Sequence, residues 1–218
     1  MYQAVIFDLD GTLLNTIDDL AEAGNRVCQE KGWPDHSVEE YLAMVGHGIP
    51  DLVRRFAPPE VEDEAELASA LERFLYWYGL HYMDKTCPYP GMPELLERLR
   101  QKGVRMAVYS NKAQQFTENM VRRYFPDIFS VVQGKVDGLP VKPAPEGVQA
   151  VLRQLGSRPE ETLFVGDSGT DVQTGHNGDM QVCGVTWGFR GEQALRRAGA
   201  DLLADTAAEV EAVILASR

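Results

Sequence analysis

The sequence predicts an α/β fold: a doubly wound, parallel-sheet (Rossmann-like) core carrying an inserted all-α helical module. Three observations carry that expectation. Short apolar runs recur along the chain, and the first, Ala4-Val5-Ile6-Phe7, is continuous rather than alternating, as in a strand buried on both faces. Segments of helical periodicity lie between the runs, so strands and helices alternate as in right-handed βαβ units. One stretch, from about Asn15 to Met83, interrupts the alternation with helical patterns and no convincing strand.

Residues 4–7 are the first strand. Ile17, Leu20, Ala21, Gly24, Val27 and Cys28 then share one helical face. Ser37 and Glu40 have the spacing of a capping box and open a second helix. Leu67, Leu71, Phe74, Leu75, Tyr78 and Tyr82 mark a longer helix, whose aromatic side chains read as packing rather than as a platform for substrate. The stiff, turn-prone Cys87-Pro88-Tyr89-Pro90-Gly91 closes the module. Residues 1–14 and 84–218 are therefore assigned to the α/β core, and 15–83 to the helical insertion. Back in the core, Leu95, Leu96 and Leu99 predict a helix ending near Gly103, and residues 104–109 and 131–132 predict strands. Val148, Val151, Leu152 and Leu155 fall at i, i+3, i+4 and i+7 of another helix. Residues 162–165 and 182–185 read as strands, and 201–203 as a weaker one. Val210, Val213 and Ile214 mark the last helix, with Thr206 and Glu209 as its expected capping box.

The 218 residues carry a formal net charge of -12, which makes nucleic acid and anionic membrane poor partners. A phosphorylated metabolite remains possible if positive charge is supplied locally. Three cysteines, Cys28, Cys87 and Cys183, lie far apart, which argues against a disulfide framework or a zinc site. The N-terminus has no basic leader, and no stretch approaches 18 apolar residues, so a soluble cytoplasmic protein is expected.

Chemistry is concentrated at strand ends. Phe7-Asp8-Leu9-Asp10-Gly11-Thr12-Leu13 takes a buried strand into two carboxylates and a Gly-Thr turn. In open α/β sheets ligands sit beyond the carboxyl ends of strands, and acids placed there are costly unless they bind a cation or react. Taken alone, the two could equally be turn-forming aspartates. A second acidic strand end, Val165-Gly166-Asp167-Ser168-Gly169-Thr170-Asp171, supplies the oxygen ligands that a hard cation such as Mg²⁺ needs. Between them, Ser110 and Asn111 offer hydrogen bonds to phosphate oxygens, and Lys142 offers an ammonium ahead of a helix start.

In that order the residues closely resemble the four motifs of the haloacid dehalogenase superfamily: Asp8 to Thr12, then Ser110, then Lys142, then Gly166 to Asp171. The resemblance covers the whole chain, and the helical insertion looks like the family's small cap. Within the superfamily the chain looks most like the phosphoglycolate phosphatase group, through the softer signals Gly46-His47-Gly48, Thr186-Trp187-Gly188 and Gly199-Ala200-Asp201. The resemblance implies a Mg²⁺-dependent phosphatase acting on a small phosphorylated metabolite. Asp8 would be the nucleophile and Asp10 the acid and base. Thr12, Ser110, Asn111 and Lys142 would hold the phosphoryl group, and Asp8, Asp10 (through its carbonyl) and Asp167 would hold the metal. Asp171 would orient Lys142 or a metal-bound water. The family's dehalogenases lack the second acid, so Asp10 favours phosphate esters. Pyrophosphatases, sugar-phosphate phosphatases and phosphomutases share the scaffold and stay open, as does, more remotely, a non-catalytic binding protein. The cap would hinge near residues 14–16 and 83–90 and close over substrate. His47 reads either as a specificity residue or as a loop histidine in a tight turn. A monomer or a homodimer is expected. Relatives commonly read Ala-Gly where this chain has Gly178-Asp179, which puts the local turn in question.

Overall fold

The computed structural model describes residues 1–216. The chain runs β1 (Ala4–Phe7), β2 (Leu14–Asn15), α1 (Ile17–Lys31), α2 (Val38–Met44), α3 (Ile49–Phe56), α4 (Glu64–His81) and β3 (Cys87–Pro88). It continues through α5 (Met92–Gln101), β4 (Arg105–Ala113), α6 (Gln114–Tyr124), β5 (Val131–Lys135), α7 (Pro145–Leu155), β6 (Thr162–Gly166) and α8 (Gly169–Asn177). β7 (Gln181–Val185), α9 (Gly191–Ala198), β8 (Leu202–Ala204) and α10 (Ala207–Leu215) complete it. Two compact units result: Met1–Leu14 with the chain from Pro88 onward, and Asn15–Cys87.

The first unit is built on a six-stranded sheet of order β5-β4-β1-β6-β7-β8, and every neighbouring pair is parallel. From β1 the chain first winds outward through β4 and β5. It then crosses back to β6 on the other side of β1 and winds out through β7 and β8. This is the doubly wound order, and its direction reverses between β1 and β6. All four residues of β1 are fully buried. Ala4 and Ile6 face a cluster with Val148, Val151, Phe164, Val172 and Val182; Val5 and Phe7 alternate to the other face. The six apolar runs are thus the six strands. β4 extends further than its apolar run, to Ala113, because its ladder with β5 is irregular: Tyr109 pairs with Gln133, but Ala113 with Lys135. Thr206 caps α10 through the Glu209 N–H, yet the Glu209 carboxylate accepts from Asp205 N at 2.6 Å, so only half of the expected box forms. At the departure noted above, Asp179 takes the left-handed turn itself, at φ +57°, and Gly178 does not.

The second unit is all helical apart from its share of β2 and β3, the short strands that pair where the chain enters and leaves it. The predicted face of α1 is buried throughout. Gly24 admits Tyr41 of α2, whose hydroxyl would stand 2.1 Å from a Cβ there. Both halves of the Ser37–Glu40 capping box are present. Phe56, Phe74 and Tyr78 stack in sequence. Leu75 is 41% exposed, because α4 turns Ala70 inward instead. Asp19 is buried on α1 and accepts from the N–H groups of Lys85 and Thr86 and from the Thr86 hydroxyl, tying the start of the unit to its end.

Candidate active site

The reversal between β1 and β6 brings two strand ends side by side, and each delivers a carboxylate: Asp8 directly after β1, and Asp167 directly after β6. Asp8 N still donates to Val165 O at 2.9 Å, so β1 remains zipped to β6 up to the acid itself. A tight turn follows. Leu9 O accepts from the N–H groups of both Leu13 and Leu14 at 3.0 Å, and Gly11 takes φ +84°. Leu9 and Leu13 are drawn into the core while Asp8 and Asp10 stay at the sheet's edge.

Asp8, Asp167 and Asp171 can each place an oxygen within 4.8 Å of the other two, and all three are buried. The cation facing them is Lys142, whose Nζ lies 2.8 Å from Asp8 Oδ1 and 2.7 Å from Asp171 Oδ1. The Asp171 contact is a hydrogen bond. The Asp8 contact is close enough for an ion pair but misaligned, which leaves Asp8 Oδ1 buried without a hydrogen-bond donor. Burial, helped by Asp171 and weakly by Asp10, pushes the Asp8 carboxyl from 3.8 up to about 7 against the pull of Lys142. Burial works against the charge on Lys142, but Asp171 and Asp8 outweigh it and hold the ammonium on. One cation shared among three acids accounts for both directions. Asp167 is also raised well above its ordinary value, by burial and then by Asp171 and Asp8.

The surroundings fix each acid. Asp167 Oδ2 accepts from Phe189 N at 2.7 Å and Oδ1 from the Thr12 hydroxyl at 3.3 Å. Asp171 Oδ2 accepts from both the backbone and the hydroxyl of Ser168, the capping box of α8. With Oδ1 on Lys142, both Asp171 oxygens are engaged, which suits an orienting residue. Glycines allow the close packing: a Cβ on Gly188 would stand 2.2 Å from Asp167 Cβ, and one on Gly11 2.5 Å from Asp167 Oδ2. Trp187 Nε1 donates to Thr12 O at 3.1 Å, so the softer Thr186-Trp187-Gly188 signal is a brace for the first loop.

Other expected site residues are distributed differently. Asp10 turns its carboxylate away from the cluster to Lys112, whose Nζ reaches its two oxygens at 2.8 and 2.9 Å. Only the Asp10 backbone carbonyl is left for a metal. Asn111 donates to Lys142 O and accepts from Lys142 N, so in place of the expected phosphate contact it seats the lysine's backbone. The Thr12 hydroxyl likewise serves Asp167. Ser110 is buried and accepts from Lys112 N at 3.3 Å. His47 belongs to the helical unit, where it is exposed between Gly46 and Gly48, at φ +113° and +91°. The sequence alone does not single out Lys112. Its signal was present, a lysine two residues beyond Ser110 at a strand end, but only the tertiary pairing with Asp10 gives it meaning.

The donor set fits a divalent metal. Three buried carboxylates outnumber the lysine that faces them, one carboxylate oxygen has no hydrogen-bond donor, and all the side-chain ligands are hard oxygens. The arrangement can bind a cation beside a buried carboxylate, with an ammonium at hand for an anionic group.

The cluster lies at the switch point of a doubly wound sheet, and the chain belongs to the haloacid dehalogenase-like hydrolase family, whose model matches residues 5–185. Its relatives place it among the family's phosphatases. A phosphoglycolate phosphatase of Haemophilus influenzae is 30% identical over 98% of each chain. One from Pseudomonas putida is 36% identical over 85% of this chain and 70% of its own. A crystal structure of a proposed phosphoglycolate phosphatase from Lactobacillus delbrueckii subsp. bulgaricus superposes with a TM-score of 0.93 at 33% identity, covering 99% of both chains. Among the described residues no helix is long and apolar enough to cross a membrane.

Proposed function

We propose that the protein is a Mg²⁺-dependent phosphatase that hydrolyses a small phosphorylated metabolite, with 2-phosphoglycolate the first candidate, through an aspartyl-phosphate intermediate on Asp8. The observation that carries this reading is the buried cluster of Asp8, Asp167 and Asp171 facing Lys142 at the reversal of the sheet. The names of the relatives support the substrate.

Asp8 attacks phosphorus in line; its carboxylate oxygen forms the new P–O bond as the ester P–O bond breaks. Asp10 gives a proton to the leaving alkoxide, then takes one from the water that cleaves the acyl phosphate. Lys142 and the Ser110 hydroxyl hold the phosphoryl oxygens, and Asn111 keeps the lysine in place. Thr12 and the Phe189 N–H fix Asp167, and Asp171 fixes Lys142. Asp8, Asp167 and the Asp10 carbonyl would hold Mg²⁺. When bound, the cation neutralises the acids and the incoming phosphate, which would otherwise repel one another. The helical unit serves as the cap, moving on the two linkers, and His47 is its candidate contact to the leaving group.

The test is phosphate release, with and without Mg²⁺, from 2-phosphoglycolate, pyrophosphate, hexose phosphates and an aryl phosphate. Preference for 2-phosphoglycolate, abolished by Asp8→Asn and by chelation, is expected. Preference for another ester would replace the substrate and keep the mechanism; turnover that survives Asp8→Asn would overturn both.

A further inference from the structure

Lys112 is buried and paired at the edge of the site, and the reaction above gives it no role. The irregularity in β4 places it. Between the Tyr109–Gln133 and Ala113–Lys135 pairs, three residues of β4 stand opposite Gly134 alone. A Cβ on Gly134 would stand 2.7 Å from Lys112 O, so the glycine lets the bulged strand approach. Lys112 O accepts from the Thr117 hydroxyl at 3.2 Å, and Lys112 N donates to Ser110 Oγ. With its backbone pinned on both sides, the side chain crosses from β4 to the loop after β1 and reaches Asp10. The lysine side chain is 4% exposed and Asp10 20%, so the carboxylate is the solvent-facing member of the pair.

Asp10 must reach the ester oxygen of the substrate, so whatever that oxygen carries lies against the Asp10–Lys112 pair. Lys142 serves Asp8 and Asp171 and, in the reading above, the phosphoryl oxygens, which accounts for all three of its N–H donors, so a second anion there calls for another cation. An ammonium can share its N–H groups among several acceptors, so Lys112 can keep its hold on Asp10 while an incoming carboxylate joins the pair. Its long stem is encased, so it can turn toward that group at little cost in side-chain entropy.

We propose that Lys112 is a specificity-determining residue that pairs with a carboxylate on the leaving group of the phosphate ester, one or two carbons from the ester oxygen. This rests on the phosphatase reading above. It selects phosphorylated hydroxy acids over uncharged phosphate esters of the same length, because only the former give the ammonium a charge-assisted hydrogen bond beyond the one it keeps with Asp10.

The experiment compares 2-phosphoglycolate with ethyl phosphate, which has an uncharged leaving group of matching length. Lys112→Met slows both esters through the loss of its hold on Asp10. The expected result is that kcat/KM for 2-phosphoglycolate falls roughly 10–100-fold further than that for ethyl phosphate, as for one charged hydrogen bond. Equal losses for the two esters would show that Lys112 only positions Asp10, and would overturn the proposal. A second readout avoids turnover: calorimetric binding of both esters, with Mg²⁺, to Asp8→Asn and to Asp8→Asn/Lys112→Met. The added substitution should weaken 2-phosphoglycolate selectively. If the wild type hydrolyses neither ester, the phosphatase reading fails while this comparison still decides on Lys112. If 2-phosphoglycolate does not bind Asp8→Asn at all, the Lys112 assignment falls as well. Lys112→Gln, checked by circular dichroism, replaces the Met variant should that one fail to fold.

Discussion

Asp8 is held in a state that destabilises the fold that holds it. Its carboxyl stands at about 7 in the folded chain against an ordinary 3.8, chiefly through burial. Between those values the folded protein keeps a proton that the unfolded chain has lost, so this contribution to stability falls as pH rises through the window and is at its least above 7. Asp8→Asn should therefore raise the melting temperature of the metal-free protein at pH 8 more than at pH 5, by about 2–4 °C for each kcal/mol recovered. Thermal melts at the two pH values check this; an equal shift at both would mean that the acid is not titrating in that range. A cation must displace the same proton. The rise in melting temperature given by Mg²⁺ is accordingly expected to be larger at pH 8 than at pH 5.5, and larger in the wild type than in Asp8→Asn.

At the scale of the element, the loop after β7 supports the acid on β6. Gly188→Ala would put a Cβ 2.2 Å from Asp167 Cβ and 2.5 Å from Gly11 O. Neither neighbour is the far end of a flexible chain, so the loop must move. A destabilisation of roughly 1–3 kcal/mol is expected, with weaker Mg²⁺ binding in a protein that still folds; chemical denaturation and metal titration measure the two. Elements of this kind divide what the sequence discloses from what it hides. The inner strands β1, β6 and β7 and the first part of β4 are legible because a strand covered on both faces must be apolar without interruption, whereas the edge strands β5 and β8 show only short apolar runs. Helices α1, α5, α7 and α10 were legible from their buried stripes, whereas α6, α8 and α9 were implied only by the alternation. The last four residues of β4 were not legible, since Ser110, Asn111 and Lys112 are polar and continue the strand only by bulging against Gly134. The acids announced themselves because carboxylates at strand ends need a reason to be there. The Lys112–Asp10 pair did not, because a lysine near a serine is unremarked until a loop from the other end of the chain meets it.

At the scale of the molecule, the helical unit enters and leaves through β2 and β3, which are neighbouring strands and so lie about 5 Å apart. A few residues can bridge that gap. The apolar cluster on one face of the sheet is built from residues of the first unit. Replacing residues 15–87 with a short glycine linker is expected to leave a folded core that keeps slow hydrolysis of an aryl phosphate and the preference for a carboxylate-bearing leaving group that Lys112 gives, and loses discrimination among esters that share that charge. Circular dichroism and the substrate panel test this. A core that fails to fold would show that the insertion contributes to stability; one that folds and still discriminates among those esters would return specificity to the core alone.

The central position of β1 has a consequence for the order in which the protein is made. Of the six strands of the sheet β1 is made first, yet its partners begin at Arg105 and Thr162. Its four apolar residues find their first partner only after about half of the 218 residues, and their second after about three quarters. The helices of the insertion, whose contacts are nearer in sequence, can meanwhile settle among themselves. The loop after β1 is thus made before either strand that will flank it, and the interval in which β1 is exposed is when a nascent chain of this design most needs protection from aggregation.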